Sequence, residues 1–434
     1  MKTVATLLIA VIGLFTTQFT AAQNLPRATP AEVGLSSARL DRIMQMLRED
    51  AAKGTVPGAV LLVARHGKIA WFESAGVLDP GTKAPMTKDA IFRIFSMSKA
   101  ITTVTAMTLF EDGKIALQDP VARFLPQFRQ VKVGVEKTDP AGGKPTLELV
   151  AARRPITIQD LMRHTSGLTY GFFGNSMVKK MYVEAGVMRG SQTSPNPVYD
   201  FTNEEFVDRL AKMPLAYQPG TTWDYSHSTD VLGRIIEVVS GTTLFEYEKQ
   251  RLLGPLGMTD TSFYVTDTAK QSRIAEPYPN DRVFGIGEEA KFNDPRVAGK
   301  WESGGGGMVS TATDYARFLQ MLLNGGSLGG KRILSPKTVA FMTSDHTGEG
   351  IVPGPFYLPG PGYGFGLGFA VRRDAGVSPE NGSVGDYTWN GVGGTHFWVD
   401  PKEDMFVVFM IQSPRQRQHY MTVIRNMVYA AIEK

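Results

Sequence analysis

The sequence predicts a mixed α/β fold of the α+β kind, in which an antiparallel sheet is built from both chain ends and flanked by helices. Strand patterns occupy residues 58–76 and 366–411, whereas the residues between them mix helical periodicity with loops. A sheet that takes strands from both ends leaves the middle of the chain as an insertion. We therefore expect an α/β region of about 23–112 plus 291–434, and a mostly helical region of about 113–290.

The N-terminus has the composition of an export signal. Lys2 precedes an apolar run at residues 4–15, and small residues before Gln23 suit cleavage by signal peptidase. This run is too short to span a bilayer, which needs about 20 residues. We therefore predict a signal peptide at 1–22 and a domain at 23–434 that is periplasmic or secreted, with no transmembrane segment in the mature chain.

The composition excludes several kinds of chemistry. The absence of cysteine excludes disulfides, thiolate metal sites and a cysteine nucleophile. The net charge is only +4 over 434 residues, and the basic residues are scattered rather than gathered in the basic stripe that binds nucleic acid. The six histidines show no metal-ligand spacing. We therefore expect no metal and no other cofactor, and a small molecule rather than nucleic acid as partner, while the oligomeric state stays open.

Local patterns place the elements in order. Residues 59–64 and 69–74 form a hairpin, and a helix begins at Ser96 with Gly113 as its C-terminal cap. Thr311 has the spacing of a capping box with Asp314. Further helices are expected at 156–163, 203–211, 229–240, 311–323 and 418–432, and C-terminal strands at 366–372, 386–390, 395–399 and 405–411.

The strongest chemical signal is an S-x-x-K segment that opens the helix at Ser96. Lys99 is three residues further on, so both side chains lie on one helix face. The backbone N–H of Ser96 lacks an intrahelical partner and can bind an oxyanion. The positive end of the helix dipole and the apolar neighbours favour a neutral amine on Lys99, which could then accept the proton of Ser96.

Two later segments complete the candidate site. Tyr225 follows a Pro-Gly turn and precedes a helix, from where its hydroxyl can approach the Ser-Lys pair. Trp389 ends a strand that enters a glycine-rich turn. There we expect Gly391 to let a substrate approach the backbone, and the N–H of Val392 to be the second oxyanion donor.

Together these three segments resemble the serine β-lactamase and penicillin-binding-protein superfamily, and more closely its family VIII carboxylesterases, over residues 30–430. Supporting segments are 93–99, 161–168, 253–258 and 305–311. The resemblance implies a β-lactamase/transpeptidase-like fold. It also implies that Ser96 is the nucleophile, that Lys99 and Tyr225 are the acid/base pair, and that Val392 supplies an oxyanion amide.

Two departures from the β-lactamase pattern bear on the substrate. Trp389 occupies the place of the lysine in the K-T-G strand, which leaves Lys99 as the only evident cation near the site. His227 replaces the asparagine of the Y-x-N segment. Both changes favour uncharged acyl groups, so we interpret His227 and Trp389 as substrate contacts. We also expect Tyr170 and Phe172 to line an acyl pocket.

These observations predict a serine hydrolase, a carboxylesterase that cleaves short-chain acyl esters through an acyl-enzyme on Ser96. Three alternatives stay open at this point. They are a β-lactamase or D-amino-acid peptidase, an acyltransferase in which an alcohol replaces water, and a sensor that is acylated once without turnover.

Three further motifs are interpreted as structural. Ser176 and Lys179 also match S-x-x-K, but their context reads as a loop that opens no apolar helix. Ser327 matches G-x-S-x-G, yet a nucleophile elbow must join a strand to a helix, and here a helix comes first. Gly325 is therefore expected to cap that helix. The glycines at 304–307 are expected to pack closely beside the cleft.

Overall fold

A computed structural model describes residues 25–138, 142–188, 200–281 and 293–434. The predicted signal peptide lies outside these residues. The strands are β1 (Gly58–Arg65), β2 (Lys68–Asp79), β3 (Ala84–Pro85), β4 (Phe92–Arg93), β5 (Lys132–Lys137), β6 (Thr146–Ala151), β7 (Thr222–Trp223), β8 (Val309–Ser310), β9 (Ser327–Leu328), β10 (Lys331–Arg332), β11 (Val352–Pro353), β12 (Tyr363–Phe365), β13 (Ala370–Arg372), β14 (Tyr387–Asn390), β15 (His396–Asp400) and β16 (Met405–Ile411).

Helices occur throughout the described residues, and several of them are only a single turn long. They are α1 (Ser37–Ala52), α2 (Ser98–Glu111), α3 (Ile158–Met162), α4 (Met177–Glu184), α5 (Asn203–Leu210), α6 (Ser228–Ser240), α7 (Leu244–Glu248), α8 (Gly254–Leu256), α9 (Thr268–Gln271), α10 (Ala312–Leu323), α11 (Pro336–Met342) and α12 (Arg417–Ala430). Short 3₁₀ or π turns lie at Pro30–Val33, Phe95–Met97, Val121–Arg123, Pro126–Phe128, Lys249–Leu253 and Pro414–Gln416. None of these helices is long and apolar enough to cross a membrane.

The centre of the molecule is an eight-stranded sheet in the order β12-β13-β14-β15-β16-β1-β2-β3. The first strand of the chain pairs antiparallel with the last, so that Ala59 faces Ile411 and Arg65 faces Met405. This confirms the predicted sheet built from both chain ends. Both strands are buried along their whole length, because helices cover both faces of the sheet.

Alternate side chains of β1 enter two different cores. Val60 and Leu62 belong to the larger core, which also holds the buried faces of α2 and α10. Leu61 and Val63 belong to a smaller core under α1 and α12. The period of two along a strand produces this division. On the larger side of the sheet, α2 is buried from Ser98 to Leu109.

Several predicted elements differ in their bounds. The strand expected at 366–372 is reduced to β13, because Gly368 has a φ of 90° and the chain turns back between Gly366 and Phe369. The middle of the chain contains the hairpin β5–β6, which the helical interpretation did not include. The capping box at Thr311 is half formed. Its hydroxyl accepts from the backbone N–H of Asp314, whereas the carboxylate of Asp314 accepts from the backbone N–H of Asp260.

Candidate active site

Ser96 lies in a tight turn between a strand and a helix. The turn leaves β4, passes through a 3₁₀ turn at Phe95–Met97 and enters α2 at Ser98, so the helix begins two residues later than predicted. Phe95 has a φ of 46°, a left-handed conformation that is strained for a residue with a side chain. Ser96 is half-buried and faces a cavity. The strained turn thus presents the serine hydroxyl to that cavity.

Neighbouring elements hold this turn in place. The hydroxyl of Ser98 donates to the carbonyl of Phe95 at 2.6 Å and accepts from the N–H of Met308 at 3.1 Å. Tyr315 of α10 donates its hydroxyl to the carbonyl of Met97 at 3.0 Å. Contacts from two separate elements can stabilise a backbone conformation that is locally unfavourable.

Lys99 is buried below the turn, with 2% of its surface exposed. Its Nζ donates to the Tyr170 hydroxyl at 3.0 Å and to the carbonyl of Gly305. It also lies 4.6 Å from the centroid of the Tyr225 ring, within the range of a cation–π interaction. No hydrogen bond joins Nζ to Ser96 within the described part of the chain. Catalytic hydrogen bonds often form only when substrate is bound.

Tyr225 directs its hydroxyl toward the end of β14. That oxygen accepts a hydrogen bond from Nε1 of Trp389 at 3.2 Å. The ring is 5% exposed and packs against His164 and Tyr170, with centroids 4.9 and 5.3 Å away. The structure therefore gathers Lys99, Tyr225 and Trp389 from three separate parts of the chain.

Tyr225 and Trp389 line one cavity of about 470 Å³, whereas Lys99 lies behind its wall. Of the residues predicted from sequence, it is lined by Ser96, Tyr170, Phe172, Tyr225, His227, Trp389 and Val392. Phe173, Met188 and Phe356 make much of the remaining wall apolar. An apolar wall with a few polar groups at one end is the usual composition of a small-molecule site.

Gly391 does not belong to the cavity wall. A Cβ at this position would lie 2.4 Å from the carbonyl oxygen of Ile94 and 2.3 Å from Oγ1 of Thr395. These contacts give a structural reason for the glycine, and the approach of a substrate at Gly391 stays a prediction. This residue is glycine because the backbone before Ser96 packs directly against it.

His227 forms a buried pair with Asp230. Nδ1 of His227 lies 3.2 Å from Oδ2 of Asp230 on the first turn of α6. Burial lowers the pKa of His227 below its ordinary value, although Asp230 acts in the opposite direction. Burial alone would raise the pKa of Asp230, but the hydrogen bond and charge of His227, together with the charge of Lys99, lower it. Asp230 is therefore an ionised group within the site.

Asp230 also connects the glycine-rich segment to Lys99. Its Oδ1 accepts from Ser303 Oγ at 2.6 Å and from the N–H of Gly305 at 3.0 Å. Because the carbonyl of Gly305 accepts from Lys99, the carboxylate of Asp230 is linked to Lys99 through the backbone of this one residue. Asp230 was missed from the sequence, where only its place in the first turn of a helix could have suggested it.

Tyr170 has a second function besides lining the cavity. Its hydroxyl accepts from Lys99, and its ring meets His227 edge-on at 4.2 Å. Burial raises the pKa of Tyr170 well above its ordinary value, and the charge of Asp230 adds to this effect. Tyr170 is therefore a neutral phenol that contacts Lys99.

Arg417 was also missed from the sequence. It is the first residue of α12 and lines the same cavity as Ser96. Burial lowers the pKa of its guanidinium, against the opposing effect of Tyr225. The expectation that Lys99 is the only cation near the site is therefore wrong. No sequence signal marks Arg417, which is more than three hundred residues from Ser96.

The alternative serine motifs have structural explanations. Ser176 does open a helix, contrary to the prediction, since its hydroxyl caps α4 by accepting from the N–H of Lys179. Lys179 is buried, with its Nζ 3.5 Å from Asp224. Ser327 lies in the hairpin β9–β10, and Gly325 follows α10 with a φ of 69° as expected for a cap. At Gly305 a Cβ would lie 2.6 Å from Asp230, which confirms close packing of the glycine run.

Comparisons with known proteins identify similar sequences and a similar structure. A family model described as Beta-lactamase matches residues 43–428. Esterase EstB of Burkholderia gladioli is 31% identical over 95% of this chain and 100% of its own length. The uncharacterized protein MT1414 of Mycobacterium tuberculosis is 35% identical over 86% of this chain and 90% of its own. The structure of EstCE1, described as a hydrolase with promiscuous acyltransferase activity, superposes with a TM-score of 0.73 at 29% identity and covers 90% of this chain and 99% of its own.

Proposed function

The chain belongs to the beta-lactamase family as a serine hydrolase of the family VIII carboxylesterase type, and from this premise we propose that it cleaves short-chain acyl esters through an acyl-enzyme on Ser96. The observation that carries the proposal is the common cavity. The half-buried Ser96 faces it from a strained turn, next to a buried lysine that touches two tyrosines. A reactive serine beside a lysine and a tyrosine is suited to nucleophilic catalysis.

The reaction begins when Oγ of Ser96 attacks the ester carbonyl and its proton passes to the Lys99–Tyr225 pair. The backbone N–H groups of Ser96 and Val392 stabilise the negative oxygen of the tetrahedral intermediate. As the bond to the alcohol breaks, Tyr225 donates a proton to the departing oxygen. The hydrogen bond from Trp389 stabilises negative charge on the phenol oxygen while the proton is away.

A water molecule then completes the cycle. The Lys99–Tyr225 pair takes a proton from the water, which attacks the carbonyl of the acyl-enzyme, and the bond to Ser96 breaks. Ser96 recovers its proton and the carboxylic acid leaves. Phe172, Phe173 and Met188 favour an apolar acyl group, because these residues line the cavity beside Ser96.

The test is the loss of a single hydroxyl. Ser96→Ala should abolish hydrolysis of nitrophenyl acetate and butyrate, whereas Ser327→Ala, in the β9–β10 hairpin, should keep most of it. Rapidly quenched parent enzyme should carry one acyl group on the peptide that contains Ser96, as seen by mass spectrometry. An inactive but folded Ser327 variant, or an acyl group on another residue, would contradict the assignment.

An acyltransferase is the second candidate, because EstCE1 is described as having promiscuous acyltransferase activity and its structure covers nearly all of this chain. An alcohol would then replace water in the second half of the reaction. Product analysis with added short alcohols separates the two. A new ester formed at the expense of free acid indicates transfer, and an unchanged yield of acid indicates hydrolysis alone. Export through residues 1–22 is also a proposal, and it rests on the sequence alone.

A further inference from the structure

Arg417 places a positive charge on the wall of the active-site cavity. It lies at the start of α12, opposite the end of β14, and it also lines a smaller adjoining cavity of about 170 Å³. The two cavities share Leu358, Trp389, Asn390 and Arg417. The guanidinium of Arg417 therefore borders both the space beside Ser96 and the second space.

The side chain of Arg417 has no ion pair and no hydrogen bond among the described residues. Two other arginines nearby are paired, since Arg425 of the same helix binds Asp386 at 2.6 Å and Arg415 binds Asp281 at 2.8 Å. A partly desolvated cation without a counter-charge is unfavourable. Arg417 is therefore a cation available to a ligand.

The acidic groups around the two cavities are engaged elsewhere. Asp230 is the acid in the larger cavity, and its two oxygens bind His227, Ser303 and Gly305. Glu380 is the acid in the smaller one, and its Oε1 accepts from Thr422 at 2.8 Å. Neither is paired with Arg417, so the guanidinium retains its capacity for a planar anion.

We propose that Arg417 binds a carboxylate carried by the ester substrate, so that the preferred substrates are monoesters of dicarboxylic acids or esters of hydroxy acids. This inference rests on the proposed ester hydrolysis and narrows its substrate class. The guanidinium presents parallel N–H donors that match the two oxygens of a carboxylate. The apolar wall takes the chain of the substrate, and the adjoining cavity leaves space for its charged end.

The kinetic test uses substrates that differ only in charge. One pair, the mono-4-nitrophenyl ester of adipic acid and its methyl-capped diester, varies the acyl side. The other, 4-acetoxybenzoate and its methyl ester, varies the alcohol side. In at least one pair the parent should prefer the charged member. Arg417→Gln should lower the ratio of charged to neutral kcat/KM in that pair by roughly ten- to a hundred-fold, mainly through KM. Arg417→Lys should keep part of the parent's ratio of charged to neutral kcat/KM, because it keeps the positive charge.

Arg415→Gln is the matched control, because Arg415 lies two residues away, is exposed and lines neither cavity. It should leave the ratio unchanged. If Arg417→Gln lowers both members of each pair equally, or if the parent shows no preference in either pair, the carboxylate site is overturned. An equal loss with a shifted pH profile would also overturn it, because Arg417 would then act on Tyr225.

A binding measurement keeps this inference separate from the proposed function. Calorimetric titration of Ser96→Ala with adipate monomethyl ester and 4-hydroxybenzoate should show binding of at least one of them. Their uncharged methyl esters should bind more weakly, and the added Arg417→Gln change should remove the difference. Tighter binding of the charged ligands, lost on Arg417→Gln, would support the carboxylate site even if the parent hydrolysed none of the esters. In that case only the proposed function would fail. No difference between charged and neutral ligands overturns the site itself.

Discussion

At the scale of single residues, burial and hydrogen bonding leave the amine of Lys99 little freedom. Gly305 accepts from it, and the N–H of the same glycine is held by Asp230 at 3.0 Å. Asp230 thus positions Lys99 through the backbone of Gly305, a residue with no room for a side chain. The position of the Lys99 amine therefore depends on Asp230 as well as on the groups that contact it directly.

Burial also determines protonation at His396, which lies opposite Asn390 in the sheet and lines the adjoining cavity. Burial, with a contribution from Arg425, lowers the pKa of His396 from 6.5 to about 3. Below pH 6.5 the unfolded chain takes up a proton that the folded chain does not. The buried, neutral His396 therefore leaves the free energy of unfolding unaffected above pH 6.5. Below pH 6.5 the free energy of unfolding falls progressively until the pH approaches 3.

We predict that His396→Gln removes this pH dependence. The free energy of unfolding of the parent, relative to the variant, should be constant above pH 7. It should fall by about 1.4 kcal/mol per pH unit below pH 6.5. Urea unfolding at pH 5, 6, 7 and 8 measures the difference, and replacement of the exposed His419 is the control. A difference that is flat between pH 5 and 8 would show that His396 is not protected from protonation.

At the scale of elements, the turn from β4 into α2 has the features that the sequence motif at Ser327 lacks. It joins a strand to a helix, and Phe95 just before the serine is left-handed. Strain of this kind costs of the order of 1–3 kcal/mol and persists only where the surroundings support it. The support comes from the segment around Met308 and from α10. The conformation of the turn at Ser96 is therefore a property of several packed elements.

We predict that Ser98→Ala weakens this turn. The change removes one part-buried and one buried hydrogen bond and leaves the N–H of Met308 without its partner, so it should destabilise the protein by about 1–3 kcal/mol. Ester turnover should fall mainly in kcat, because Ser96 and Lys99 lose their alignment while the cavity wall is unchanged. The control is Ser74→Ala on β2, which removes a hydroxyl that donates to the carbonyl of Met86. Equal kcat losses in both variants would argue against a specific effect on the turn.

At the scale of the whole molecule, α12 joins the C-terminal part of the chain to the edge of the sheet. Arg425 of α12 and Arg372 of β13 both bind Asp386, at 2.6 and 2.7 Å, and all three are fully buried. The hydroxyl of Tyr363 donates to the same carboxylate at 3.0 Å. This cluster orients the helix that carries Arg417 against β14, which carries Trp389.

We predict that Asp386→Asn costs about 3–5 kcal/mol in the free energy of unfolding, because it leaves two buried guanidinium groups without a counter-charge. Asp404→Asn, which affects a half-exposed pair with His66, should cost less than about 1 kcal/mol. Urea unfolding at pH 7 compares the two. A cost below about 1 kcal/mol for Asp386→Asn would mean that the cluster does not secure α12.

The sequence by itself determined the features that depend on neighbouring residues. The hairpin at β1 and β2, the terminal strands, the helix after Ser96 and the spacing of Ser96 and Lys99 follow from local periodicity. The family resemblance extended this to Tyr225, Trp389 and Val392. Only the tertiary structure decided which distant groups surround Lys99, why Gly391 has no side chain and that Arg417 faces the cavity. Those facts depend on packing between segments hundreds of residues apart, and local periodicity carries no information about such contacts.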